Sequence, residues 1–209
     1  MKRFFFWLIA AAVLPAVSLA QSRAPISYSY VELTASTHQV EVAPDTNEDA
    51  KGAGFSASYE VMSFLHVFGG YQTSEFDSFD LEADFLQVGV GAHTDFTDTK
   101  SGFVNVSGIK AEATLRDPML GTVTTDNDGY GISLGYREIN HTPLEFQLSI
   151  DYVNFDVPGG GSTSDTTMSV GLQYAFTPRL KMLGGFQFGG DEDVFRLGVR
   201  YYWSPRNNE

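Results

Sequence analysis

Residues 194–203, VFRLGVRYYW, alternate with a period of two along their whole length. Phe195, Leu197, Val199, Tyr201 and Trp203 form one set, and Arg196, Gly198, Arg200 and Tyr202 the other. Side chains of a strand point to opposite sides in turn, so this strand has one apolar surface and one that carries two guanidinium groups. Two environments accept it. In a soluble sandwich the apolar face lies in the core. In the wall of a membrane barrel the apolar face meets lipid and the charged face lines the lumen. The choice turns on whether the pattern recurs and whether the chain is exported.

Export is written at the start. Residues 1–20 have the parts of a secretory leader: Lys2 and Arg3 as a basic head, an apolar run over 4–17, and small Ser18 and Ala20 before a cut at Gln21. The run is shorter than the ~20 residues a membrane helix needs. No later stretch is long and apolar enough to be one. The remainder, 21–209, has the size of one domain. It contains no cysteine, so disulfide staples and thiol chemistry are excluded. Losing Lys2 and Arg3 with the leader takes the formal charge from −13 to −15, which argues against nucleic acid as a partner. The mean hydropathy of −0.12 suits a barrel, where only alternate residues touch lipid.

The alternation recurs. Within 28–37, Ser29, Val31, Leu33 and Ala35 oppose Tyr30, Glu32, Thr34 and Ser36. Segments 54–61, 65–73, 85–94, 130–137, 144–155 and 168–176 repeat the pattern, while 103–110 and 181–189 show it weakly. With 194–203 that predicts about ten strands, or eight without the two weak ones. Proline cannot donate to a ladder, and Pro25, Pro44, Pro118, Pro143, Pro158, Pro178 and Pro205 all fall between these segments. Connections alternate between short turns and longer outer loops, the latter over 39–53, 76–84, 111–128 and 156–166, as in an up-and-down barrel. Folding the chain at His141 sets Arg137 opposite Glu145 and Tyr136 opposite Phe146. Such pairs contribute about 0.2–1 kcal/mol each.

Energetics choose the lipid face. Turned over, the last strand would place Arg196 and Arg200 in hydrocarbon at roughly 2–4 kcal/mol each near the midplane. Two such costs rival the ~5–15 kcal/mol stability of an ordinary domain. The expected fold is therefore all-β: a closed, antiparallel, transmembrane up-and-down barrel, with a soluble secreted sandwich as the lesser alternative.

Inward positions then hold Glu32, Glu60, His66, Glu145 and Asp151 against Arg137, Arg196 and Arg200. Closure pairs the first strand with the last, so Glu32 meets Arg200 or Arg196 across the seam. Paired charges are tolerable in a narrow lumen and unpaired ones are costly. Glu32, Glu145, Asp151, Arg137, Arg196 and Arg200 are accordingly expected to form an interior charge network that holds the barrel. A narrow pore for small solutes is the alternative. Among the histidines, His66 and His93 point inward, His141 sits at a turn, and His38 lies by the outer rim near Asp45, Glu48 and Asp49. A surface hydrolase would need a base there with an orienting carboxylate; a solvated rim histidine is the simpler reading. Asp126-Asn127-Asp128-Gly129 resembles a calcium loop only in part. Thr124 and Gly135 stand where acidic ligands belong, so the segment reads as turn chemistry. Gly159-Gly160-Gly161 sits in a loop and cradles no phosphate. Neither metal nor cofactor is expected. The outer loops are acidic, with Asp77, Asp80, Glu82, Asp117, Asp191, Glu192 and Asp193 among them, and could bridge through divalent cations to lipopolysaccharide or meet a surface ligand.

Tyr30-Val31-Glu32, Phe68-Gly69-Gly70-Tyr71, Val88-Gly89-Val90-Gly91, Asp128-Gly129-Tyr130-Gly131 and Gly198-Val199-Arg200 resemble motifs of the small OmpX-like and OmpA-like outer-membrane barrels of Gram-negative bacteria. The likeness spans about 28–203. It implies insertion into the outer membrane by the barrel assembly machinery, which recognises a terminal aromatic strand; here the last aromatic is Trp203, followed by 204–209. It carries over no catalytic residue. The expectation is an outer-membrane barrel without enzymatic activity, with a structural or surface-interaction role.

Overall fold

The computed structural model describes residues 26–43, 46–76, 80–117, 121–140, 143–156, 160–190 and 192–203. The leader at 1–20, His141, Asp45, Asp77, Asp191 and the prolines at 25, 44, 118, 158 and 205 lie outside them. Ten strands follow in order: β1 (Tyr30–Ala43), β2 (Thr46–Met62), β3 (Leu65–Phe76), β4 (Leu81–Thr97), β5 (Lys100–Asp117), β6 (Gly121–Ile139), β7 (Leu144–Asp156), β8 (Ser162–Ala175), β9 (Leu180–Phe188) and β10 (Glu192–Tyr202). Each pairs antiparallel with its neighbours, and β1 pairs with β10 to close the ring. Both weak segments are strands, so the count is ten. Among the described residues no helix is long and apolar enough to cross a bilayer, which says nothing of a crossing made by strands.

Polarity is inverted relative to a soluble protein. Leu33, Val88, Leu134 and Leu197 stand 50–63% exposed on the outside, whereas Arg137 and Glu145 are 2% and 1% exposed within. Exposed apolar surface on this scale marks contact with a nonaqueous partner. On β10 the outer set is Phe195, Leu197, Val199, Tyr201 and Trp203. Aromatic side chains bound the apolar band at both ends. Toward the end where β1 begins and β10 finishes (the proximal end), the rings of Tyr174 and Phe176 lie 5.3 Å apart. Toward the distal end Tyr130 and Tyr152 lie 6.3 Å apart. Such girdles sit where lipid meets water.

Three sequence expectations change. The long outer loops are largely strand: β5 and β6 stay paired from Lys100 with Glu138 to Asp117 with Gly121, and β1 with β2 from Tyr30 to Ala43. Beyond the bilayer both faces meet water, so apolar alternation is lost while the backbone ladder continues. Asp126–Gly129 accordingly lies within β6, opposite 109–112, and is not a turn. The β6–β7 hairpin is displaced by two residues: Arg137 faces Gln147, Glu138 faces Phe146 and Ile139 faces Glu145. The strands end at Ile139 and Leu144, so the connection is longer than a fold at His141 allows. A two-residue shift preserves which face each side chain takes. Finally, 26–29 are not strand. They run inside the proximal mouth, with Ile26, Ser27, Tyr28 and Ser29 at 3–4% exposure.

Leu134→Arg should lower resistance to unfolding by about 2–4 kcal/mol, since Leu134 faces the hydrocarbon. Thr125→Arg, on the exposed β5–β6 extension, should change it by less than about 0.5 kcal/mol. Urea titrations of the protein in lipid, followed by the mobility difference between folded and unfolded forms, read both.

Candidate functional site

The proximal third of the lumen is filled by a layer to which every strand contributes. Arg137, from β6, is its centre. Its Nη2 lies 2.5 Å and its Nε 2.6 Å from Glu145 Oε1 on β7. Nη1 donates to the Ser27 carbonyl at 3.1 Å and Nη2 to the Tyr202 hydroxyl at 3.1 Å. Lys181, from β9, takes the other oxygen of Glu145 at 2.5 Å. Arg200 holds Glu32 across the closing seam, Nη2 to Oε2 at 2.5 Å, and these residues are direct cross-strand partners. The Tyr202 hydroxyl joins both halves: it accepts from Arg200 Nη1 at 3.4 Å and donates to Gln173 Oε1 on β8 at 3.1 Å.

Tyr28 seals the opposite side of this layer. Its ring stacks on His93 of β4 at 3.9 Å and on His66 of β3 at 4.7 Å, and meets Phe103 of β5 edge-on at 6.3 Å. The Arg137 guanidinium lies 4.8 Å from the ring centroid, and the hydroxyl shares a hydrogen bond with Ser101 Oγ at 2.9 Å. On β2, the Glu60 amide donates to Ser29 Oγ at 3.1 Å. Removing one member of so densely paired a set would leave its partner charged and unpaired, which is the expensive outcome in a low-dielectric interior.

Asp151 and Arg196 lie elsewhere. Asp151 accepts from three hydroxyls: Ser133, Ser149 at 3.0 Å and Ser169 at 3.2 Å. Arg196, among the described residues, reaches only the Gln187 side-chain carbonyl oxygen, at 3.5 Å. Among the described residues no ion pair joins either to the other four. Both line a chamber of about 690 Å³ distal to the layer, walled also by Gln72, Gln87, Ser107, Gln147 and Gln187 and reaching up to Val40, Phe76, Ala113 and Glu192. Phe85, which lines it, meets Phe155 edge-on at 6.3 Å.

Lys181 and Gln173 were not singled out in the sequence, although each lies one position from an outward Met182 or Leu172. Tyr28 was read as strand. The histidine expected at the outer rim, His38, is instead 5% exposed and points into the chamber. Its Nδ1 makes a very short contact with Glu192 Oε1, and its Nε2 lies 2.7 Å from Ser36 Oγ. Parity along β1 carries the clue, since His38 shares a face with Glu32, Thr34 and Ser36. Among the described residues no group of three or more metal-ligating side chains converges.

The sequence model of the Gram-negative porin family matches residues 18–194. Among solved structures, the Neisserial surface protein A superposes with a TM-score of 0.51 at 12% identity, covering 85% of this chain and 98% of that one. The KdgM porin, solved with disordered oligogalacturonate, gives 0.47 at 12% identity over 84% and 99%. The β domain of the Bordetella autotransporter BrkA gives 0.48 at 13% identity over 87% and 100%. At these identities the likeness is one of fold. No curated protein sequence matches the chain. Family and fold together place the protein in the bacterial outer membrane, with its apolar band in the bilayer.

Exchanging the seam charges tests the layer. Glu32→Arg alone and Arg200→Glu alone should each cost about 3–5 kcal/mol by leaving like charges buried together. The double variant should recover more than half of that loss. The temperature at which unboiled protein loses its folded gel mobility reads all three.

Proposed function

This chain belongs to the Gram-negative porin family, and we propose that it acts there as a barrel closed at its proximal, periplasmic end, with a structural or surface-interaction role. One observation carries this reading. Residues 26–29 and the Arg137–Glu145–Lys181 and Arg200–Glu32 groups occupy the lumen at a single level, with Tyr28, Arg137, Glu145 and Tyr202 each 4% exposed or less. Ten strands enclose a narrow lumen, and a few large side chains suffice to fill it. The interior charges then serve stability, and the reading asks no catalysis of them. What remains open is the chamber and the distal hairpins, whose rim is acidic at Glu48, Asp49, Asp80, Glu82 and Asp193. These hairpins present the surface to lipopolysaccharide or to an external ligand, and Arg116 offers a cation beside Asp80 and Glu82 at 3.5 and 3.1 Å. Insertion by the barrel assembly machinery, guided by the aromatic terminal strand, belongs to the same reading. So does the finer likeness to OmpX-like and OmpA-like barrels, which rests on the short motifs alone.

A second reading is favoured by the family and by the chamber itself: a narrow pore whose periplasmic gate is the N-terminal segment. The two differ in whether the unmodified protein conducts. In planar bilayers the wild-type barrel should show no steady conductance. Tyr28→Ala, which removes the ring between Arg137 and the histidine pair, should produce openings. Steady conductance from the wild type would replace the closed-barrel reading with the pore.

A further inference from the structure

Ser36 and His38 are two apart on β1, so both point into the lumen, and Glu192 comes from the start of β10 beside them. The His38 ring folds back along the strand until Nε2 is 2.7 Å from Ser36 Oγ, while Nδ1 contacts Glu192 Oε1. A carboxylate at Nδ1 requires the proton on that nitrogen, which leaves the Nε2 lone pair facing the Ser36 hydroxyl. That is the order of groups a nucleophilic serine needs: hydroxyl, base, and a third group that orients the base.

We propose that Ser36, His38 and Glu192 form a nucleophilic site that hydrolyses small, soluble esters entering the chamber from the distal mouth. The proposal goes beyond the closed-barrel role and stands independently of it. Three further observations support a site over a staple between strands. First, Gly52 lies directly across from Ser36, and a Cβ there would fall 2.6 Å from Ser36 Oγ, 2.9 Å from His38 Nε2 and 2.9 Å from the Thr73 carbonyl. The arrangement therefore depends on a residue without a side chain. Second, a donor for a developing oxyanion is at hand. Arg196 is the cross-strand partner of Ser36 on the other side, while the Gln72 amide at 3.3 Å and the Ser74 hydroxyl at 3.4 Å lie beside His38 Nε2 and hold the ring. Among the described residues Arg196 makes one long contact, to Gln187, which leaves guanidinium donors for an oxyanion. Third, His38, Glu192, Arg196 and Gln72 line the chamber of about 690 Å³, and Ser36, 8% exposed, meets it at the 2.7 Å contact with His38 Nε2, so the substrate is limited to a small molecule.

The chemistry closes on water. Ser36 Oγ attacks the ester carbonyl carbon as its proton passes to His38 Nε2. The tetrahedral adduct collapses, the bond to the alcohol oxygen breaks, and Nε2 returns the proton to the departing alkoxide. Water then attacks the acyl-Ser36 carbonyl, giving its proton to Nε2. Cleavage releases the carboxylic acid and restores the Ser36 hydroxyl.

The test uses the full folded chain in detergent, with its heat-dependent gel mobility as the control for folding. A fluorophosphonate probe should label the unboiled wild type, and peptide mapping should place the label on Ser36. Hydrolysis of p-nitrophenyl acetate should fall at least about 100-fold in Ser36→Ala and in His38→Gln, the scale of lost acid–base catalysis. Ser164→Ala, on the exposed distal end of β8 and outside the chamber, should leave labelling and turnover unchanged. Absence of label above that of boiled protein overturns the proposal. So does a label on another serine, or equal labelling of Ser36→Ala. If a variant fails to fold, the mapped label on the wild type decides alone.

Discussion

A bilayer offers no hydrogen bonds, so every backbone amide and carbonyl that crosses it must find a partner within the protein. This chain meets that demand with a closed ring in which β1 returns to β10 and no edge faces lipid. The inverted polarity follows. Val88 is 63% exposed because lipid covers it, and Arg137 is 2% exposed because the lumen is the only place a guanidinium can go. The side chains that line β10 alternately reach hydrocarbon and the ion pairs, so a single strand carries both halves of the design.

The lumen sets a second constraint. Its proximal part is narrow and its side chains are buried, so a charge there must be paired and its remaining hydrogen-bonding capacity used. Around Arg137 and Arg200 this is met by carboxylates, by the Tyr202 hydroxyl and by the Ser27 carbonyl. The segment at 26–29 is thereby tied to the wall through Arg137, Ser101 and Glu60 at once. Distal to it the arginine–carboxylate pairs give way to other partners, among them His38 with Glu192. Asp151 is satisfied by hydroxyls and Arg196, among the described residues, by one amide oxygen, which leaves a polar chamber where the proximal layer leaves none.

Most of the wall was legible in the sequence because lipid imposes a period of two. Phe55, Val88, Leu134 and Phe195 all lie outside for that reason. Parity and closure also place Glu32 and Arg200 on facing positions of the seam, which is where they lie. Where lipid stops, the signal stops: Ala111–Arg116 pairs in full with residues 122–127, yet its polar side chains read as loop. The β6–β7 register escaped by two residues, because parity is blind to an even shift and the turn at 140–143 has no compelling sequence. Tyr28 matched the alternation of β1, and nothing local marks a chain that turns inward one step before the strand begins. The contact of His38 with Glu192 joins residues 154 positions apart across the seam, so no local pattern could reveal it.

The central claim is that the lumen opens outward and is sealed toward the periplasm by the layer at 26–29 and Arg137. The chain has no cysteine, so single thiols report without background. Ser169→Cys, in the chamber, and Ser101→Cys, at 0% exposure within the seal, would be treated with a small, charged, membrane-impermeant thiol reagent added outside intact cells. The account predicts rapid modification of the first thiol and protection of the second until the barrel is unfolded. Equal reactivity at the two positions would contradict it.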